Sequence, residues 1–257
     1  MSDTDLVYYE QPLNERMRSF LRLDFLFRQA AHTLEGESRW DSRATLGSIL
    51  EILDVLGRSD LKTELLKDLE RHQTALARLR RASAVDQPRL ESILERLGHY
   101  QEQLHADLQA LGQGLRDNEF LAGIRQRASV AGGSCDFDLP AYHHWLQQSA
   151  AQRIAQLTEW LASLETVRAP VELLVHLVRE SAHPSEEAAE AGFFQRSLDA
   201  GGGFQLVRVG LPADAPYFAE ISAGKHRFTV RFLEPQGQSR PRQVGEPVAF
   251  QLCCCAI

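Results

Sequence analysis

Between Leu13 and Leu111 the apolar residues of this chain return every three or four positions, whereas beyond Gly192 they tend to alternate. A side chain comes back to the same face of a helix after about 3.6 residues and of a strand after about 2, so the change of period demands a change of structure. A first helix is expected from Leu13, where Met17, Phe20 and Leu21 follow the helical repeat; Pro12 or Asn14 can mark its entry and Gly36 its end. A second begins near Asp41 or Ser42, aligns Leu46, Ile49, Leu50, Leu53 and Leu56, and stops at Gly57. Two long leucine-dominated helices follow over 60–81 and 88–112. Ser59 or Asp60 can cap the first of these, and Asp86 with Pro88 opens the second. They are expected to form an antiparallel hairpin within a bundle of six or seven helices. Ile154, Leu157 and Trp160 mark a further helix, and Leu173 to Val178 another that starts after Pro170.

Residues 124–145, IRQRASVAGGSCDFDLPAYHHW, look like a joint between two kinds of structure. Cys135, Phe137 and Leu139 alternate with Asp136 and Asp138, which predicts a short half-buried strand with Cys135 turned inward. Gly132 and Gly133 permit a sharp turn, and Pro140 can start a helix that carries His143 and His144. Strands are expected at 6–10, 204–209, 217–221, 225–232 and 248–254, with a mobile loop over 234–246. The fold class is therefore α+β: a mainly helical domain over 12–183 with a β-joint near 130–140, and a small antiparallel sheet domain over 184–257 that recruits residues 1–11.

Composition narrows the function classes. A net charge of −7 argues against a general nucleic-acid binder, which needs a cationic surface. The N-terminal MSDTDLVYYEQP has neither the basic nor the apolar region of a secretory signal, and no apolar run reaches membrane-spanning length, so a cytoplasmic protein is expected. Three of the four cysteines are the consecutive Cys253, Cys254 and Cys255. Neighbouring Cα atoms lie about 3.8 Å apart, too close for an ordinary disulfide, and consecutive thiols cannot easily converge on one zinc ion. The terminal CCAI matches a prenylation box but lacks an upstream polybasic tract, and is read as coincidence. Neither a metal nor a cofactor is expected.

Phosphate loops, dinucleotide fingerprints and metalloprotease motifs are all missing from the sequence. A Cys135–His143 nucleophile pair is the one catalytic alternative, and the inward phase expected of Cys135 favours an inert thiol instead. Arginines are the stronger signal. Arg16, Arg18, Arg22 and Arg28 lie on the first helix, with Arg18 and Arg22 on one face. Arg116 ends the fourth helix and Arg125 and Arg127 the fifth. Arginine's fork suits carboxylate recognition, although each one alone can equally be a solvated or internally paired side chain. Arg78, Arg80 and Arg81 sit where a helix C-terminus favours positive charge and are read as structural.

EQPLNERMRSFLRLDFL at 10–26, TELLKDLER at 63–71, the 124–145 joint and GFFQ at 192–195 together resemble the ZapD family of bacterial division proteins, in order along nearly the whole chain. The resemblance implies a non-enzymatic cytoplasmic homodimer, recruited to the mid-cell division ring, that binds the C-terminal tail of the tubulin-like protein FtsZ and bundles its filaments. It also implies a basic tail-binding groove. Arg22 in FLRLDFL, Arg116 in GLRDN and His143 in FDLPAYH are its best-matched residues, with Arg18, Arg125 and Arg127 as further candidates. One departure is visible: relatives tend to carry another basic residue just beyond Arg116, where this chain has Asn118 and Glu119. The alternatives are a Cys135–His143 hydrolase and a basic-patch nucleic-acid binder.

Overall fold

The computed structural model describes residues 6–57, 60–82, 85–128, 130–199, 201–224 and 226–257. The chain divides into two compact units, one made of the residues up to Arg18 with Val175–Ile257, the other of Ser19–Leu174. The described helices are α1 (Glu15–Leu34), α2 (Arg39–Leu56), α3 (Leu61–Ala77), α4 (Gln87–Ala106), α5 (Gln113–Arg116), α6 (Glu119–Ala128), α7 (Pro140–Leu146), α8 (Ala150–Ala162) and α9 (Glu165–Glu180). The described strands are β1 (Leu6–Pro12), β2 (Ser185–Ala189), β3 (Phe193–Ser197), β4 (Phe204–Pro212), β5 (Phe218–Ala223), β6 (Arg227–Gln236), β7 (Ser239–Gln243) and β8 (Val248–Ala256).

Local chemistry sets most helix starts. Asn14 Oδ1 accepts the Met17 N–H at 2.8 Å, and Ser38 with Asp41 forms a reciprocal capping box at the head of α2. Asp86 accepts the Arg89 N–H, with Pro88 in the first turn of α4. Asp60 makes no side-chain cap, and Ser59 lies outside the described residues. The helical core is built on Phe20, Leu23, Leu46, Ile49, Ile52 and Leu53. α3 and α4 pair with each other, as their leucine stripes require.

Two helical expectations need correction. α4 ends at Ala106, because the Asp107 carboxylate accepts the Gln109 N–H at 2.9 Å and Lys62 donates to the carbonyls of Asp107 and Gln109. This local turn outcompetes the helix and leaves Leu108 exposed. Arg116 therefore belongs to the separate short α5, which starts at Gly112 in the left-handed region with φ 69°. Pro170, for its part, lies inside α9 rather than before it; its ring suits helical φ and removes a single donor.

The expected β-joint near 130–140 is a chain of turns. Gly133, Cys135 and Asp138 donate their N–H groups to the carbonyls of Val130, Gly132 and Cys135 at 2.9, 3.0 and 3.1 Å. With those donors satisfied locally, a five-residue alternation has no ladder to join. Cys135 is exposed rather than inward, and Phe137 is 82% exposed.

The β unit recruits the N-terminal strand as expected: β1 runs antiparallel to β4 from Leu6↔Pro212 to Pro12↔Leu206. It contains two sheets rather than one, ordered β1-β4-β8-β2 and β3-β6-β5, with β7 also on β6. Both sheets supply one core, in which Phe250 of β8 meets Phe232 of β6 and Phe194 of β3 at ring separations of 5.0 and 5.2 Å. Phe228, Val230 and Phe232 share the buried face of β6, while Lys225, the expected start of that strand, lies outside the described residues. The 234–246 segment is a hairpin, not a loop: β6 continues to Gln236 and β7 returns along it. Pro241 is tolerated because β7 pairs on one side only.

Candidate functional site

Along α1, Leu23, Leu26, Phe27 and Ala30 are buried, which turns Arg18, Arg22 and Phe25 away from the core. Arg22, Phe25 and Leu26 are spaced i, i+3, i+4 and share one face of the helix. Glu51, Asp54 and Val55 repeat the same spacing on α2. The two triplets line opposite walls of a groove of about 340 Å³. Leu26 and Val55 give it an apolar floor, and Phe25, 60% exposed, stands at its edge.

Charge is distributed unevenly around this groove. Among the described residues Arg22 makes no hydrogen bond or ion pair. Arg125 reaches over from α6 and pairs its Nε with Asp54 Oδ1 at 2.7 Å. Arg116 sits at the C-terminal end of α2, where it donates to the Leu111 carbonyl at 2.7 Å and the Leu56 carbonyl at 3.4 Å. It thereby ties α5 to α2 through carbonyls that a helix end leaves unpaired. Its Nε is buried without a partner.

The other expected site residues have separate surroundings. Arg18 pairs with Glu15 at 3.1 Å. His143 Nδ1 lies 3.0 Å from Asp136 Oδ2, and Arg127 is exposed on the last turn of α6. No hydrogen bond among the described residues links Cys135 to His143, and no cluster of His, Cys, Asp or Glu among them could hold a metal ion. Asn118 and Glu119 open α6: Asn118 Oδ1 accepts the Leu121 N–H at 3.1 Å, and Glu119 places negative charge in the first turn. Arg80, from the basic run after α3, is held by Glu91 through two bonds of 2.8 Å.

Sequence reading missed two arginines that shape this unit. Arg43 donates to the Ser134 carbonyl and hydroxyl at 2.8 and 3.0 Å, and its guanidinium lies over the rings of Tyr142 and Trp40 at 5.0 and 5.6 Å. It staples the 130–139 turns to α2. Burial pushes the Tyr142 hydroxyl up in pKa against the opposing charge of Arg43. Arg153, only 4% exposed, donates to Ser42 Oγ at 2.9 Å, to the Glu37 carbonyl at 2.8 Å and to the Gln148 carbonyl. A signal for it existed: Arg153, Leu157, Trp160 and Leu164 fall on one helical stripe, so a buried cation was readable at its first position.

Among the described residues, no helix is long and apolar enough to cross a membrane. Residues 21–231 match the family model for ZapD, described as a cell division protein. The chain is 42% identical over 251 residues to a protein of Methylococcus capsulatus named cell division protein ZapD, covering 98% of each chain. Proteins of that same name from Azoarcus sp. and Coxiella burnetii are 37% identical over 252 residues and 36% over 253, covering 98% of this chain and 100% and 98% of theirs.

Proposed function

The chain belongs to the ZapD family of cell division proteins, and from that membership we propose that it binds the C-terminal tail of FtsZ and crosslinks FtsZ filaments as a homodimer at the division ring. The observation that carries this reading is Arg22, an exposed guanidinium without an internal partner at the edge of an apolar groove. A flexible acidic tail can place a carboxylate on that fork while burying a neighbouring apolar side chain. Arg125, paired with Asp54, holds α6 against the same groove, and Arg116 fixes the end of α2 that frames it. Arg18, Arg127 and His143 are further candidates for tail contact on the family resemblance, each in surroundings of its own.

No covalent step is needed. Ordering a disordered tail costs entropy, so one site holds one tail weakly. A two-site dimer on a filament that displays many tails converts weak contacts into firm crosslinks. The test is co-sedimentation with assembled FtsZ, full-length and tail-deleted, at two salt concentrations. The protein should pellet only with full-length filaments, and less at high salt, because exposed charges are screened beyond about 8 Å at physiological ionic strength. Arg22→Glu should abolish pelleting while leaving thermal stability unchanged, since the exposed side chain makes no hydrogen bond or ion pair among the described residues. Equal pelleting with tail-deleted filaments would refute the proposal.

A further inference from the structure

The groove between α1 and α2 is not simply cationic. Glu51 lines the wall opposite Arg22, and neither makes an ion pair or hydrogen bond among the described residues. Two unlike charges thus line one cleft of about 340 Å³ without closing on each other, while the second pair at the groove, Asp54 and Arg125, has closed at 2.7 Å. Phe25, Leu26 and Val55 complete the lining, so the groove offers apolar surface beside the two open charges. A ligand carrying only acidic groups would satisfy Arg22 but bring negative charge towards Glu51 and Asp54.

We infer that this groove accepts an extended peptide segment in which a bulky apolar side chain lies between an acidic and a basic residue. The acid meets Arg22, the apolar side chain fills the space over Leu26 and Val55 beside Phe25, and the base meets Glu51. The two open charges are of opposite sign, so a peptide that carries only one sign of charge satisfies one of them and repels the other. Arg125 stays with Asp54 and holds α6 to the α2 wall. The inference deepens the tail-binding reading and rests on it for the identity of the natural ligand, though not for the chemistry of the groove.

The test measures binding of two sets of fluorescent peptides to the full-length protein. One set is the FtsZ tail; the other is short designed peptides of acid–apolar–base order, their charge-swapped counterparts, and versions with the base replaced by glutamine. Glu51→Gln should weaken binding of a base-containing peptide by about two- to five-fold, the scale of one exposed charge pair, and should leave the glutamine version unchanged. A purely cationic groove predicts the opposite sign, since removing Glu51 would then tighten binding; that result, or an equal effect of Glu51→Gln on the base-containing and glutamine peptides, overturns the inference. If the designed peptides bind with this dependence and the FtsZ tail does not, the groove chemistry stands and the tail reading falls. If neither set binds, the inference falls as well.

Discussion

Glu10 is the side chain through which pH should act on the β unit. Its carboxylate receives Arg179 at 2.8 and 2.9 Å and Arg208 at 2.9 Å, and Arg208 also lies 4.2 Å over the Tyr8 ring. Burial pushes the Glu10 carboxyl up, but hydrogen bonds and charge from the two arginines outweigh it and hold the group below the usual carboxylate range. A depressed folded-state pKa adds stability above the unfolded carboxylate value, and that contribution is lost as pH falls through the folded value. Glu10→Gln should therefore cost about 1–3 kcal/mol near neutral pH, the scale of hydrogen bonds to a charged group. Urea titrations should show the gap narrowing below about pH 4; a gap that does not change with pH would refute the assignment. Cysteine chemistry is equally local. Burial pushes the thiols of Cys253 and Cys254 up and that of Cys255 to about 12, whereas Cys135 is exposed. Since the thiolate is the reactive form, native protein should take up one maleimide rapidly at Cys135, and unfolded protein four, counted by intact mass. Rapid uptake at Cys253 or Cys255 would contradict the buried strand. The strand that carries the terminal run was legible because β-prone residues precede it; the exposure of Cys135 was not, because a five-residue alternation carries no information about whether a partner strand exists.

At the scale of elements, the sequence was most legible where a side chain caps its own helix. Asn14 and Asp86 act within three residues of themselves, and each helix begins where they place it; α2, expected from Asp41 or Ser42, begins instead at Arg39 behind the Ser38–Asp41 capping box. Legibility failed where distant backbone decides. β2 reads SEEAA, a polar run that becomes a strand only because β8 lies alongside it, from Ser185↔Leu252 to Ala189↔Val248. Arg43 and Arg153 likewise act on residues 91 and 111 positions away in sequence. Arg153 ties α8 to the head of α2 and to the end of α7, so Arg153→Met should leave several buried acceptors unpaired and destabilise by about 2–4 kcal/mol, read as a lower urea midpoint at constant slope. Gly112 is a second such point. Its φ of 69° and a would-be Cβ only 2.9 Å from the Leu53 side chain both oppose any larger residue. Gly112→Ala should destabilise the helical unit and, by moving α5, loosen the Arg116 contacts with Leu56 and Leu111. An unchanged midpoint would show that the turn relaxes freely.

For the whole molecule, the candidate site was legible in composition but not in arrangement. Arg22 and Arg125 could be picked out as arginines, yet nothing local said that Asp54 would take Arg125, that Arg116 would serve backbone carbonyls, or that Glu51 would line the same groove as Arg22. Those facts come from the packing of helices far apart in sequence. The proposed action depends on a further level still, because crosslinking needs two working grooves in one dimer, whereas tail binding needs one. The two can be separated by mixing wild-type protein with Arg22→Glu protein after subunit exchange. At equal amounts about a quarter of randomly paired dimers retain both grooves, and about half retain one. Bundling, followed by light scattering, should then fall towards that quarter, while tail-peptide binding sites fall only to about half. Because the mixed dimers occupy tails without bridging, scattering should drop more steeply than site number across the whole mixing series. Retention of about three quarters of the scattering at equal amounts would mean that a single groove per assembly suffices, and that crosslinking arises from some other surface of the protein.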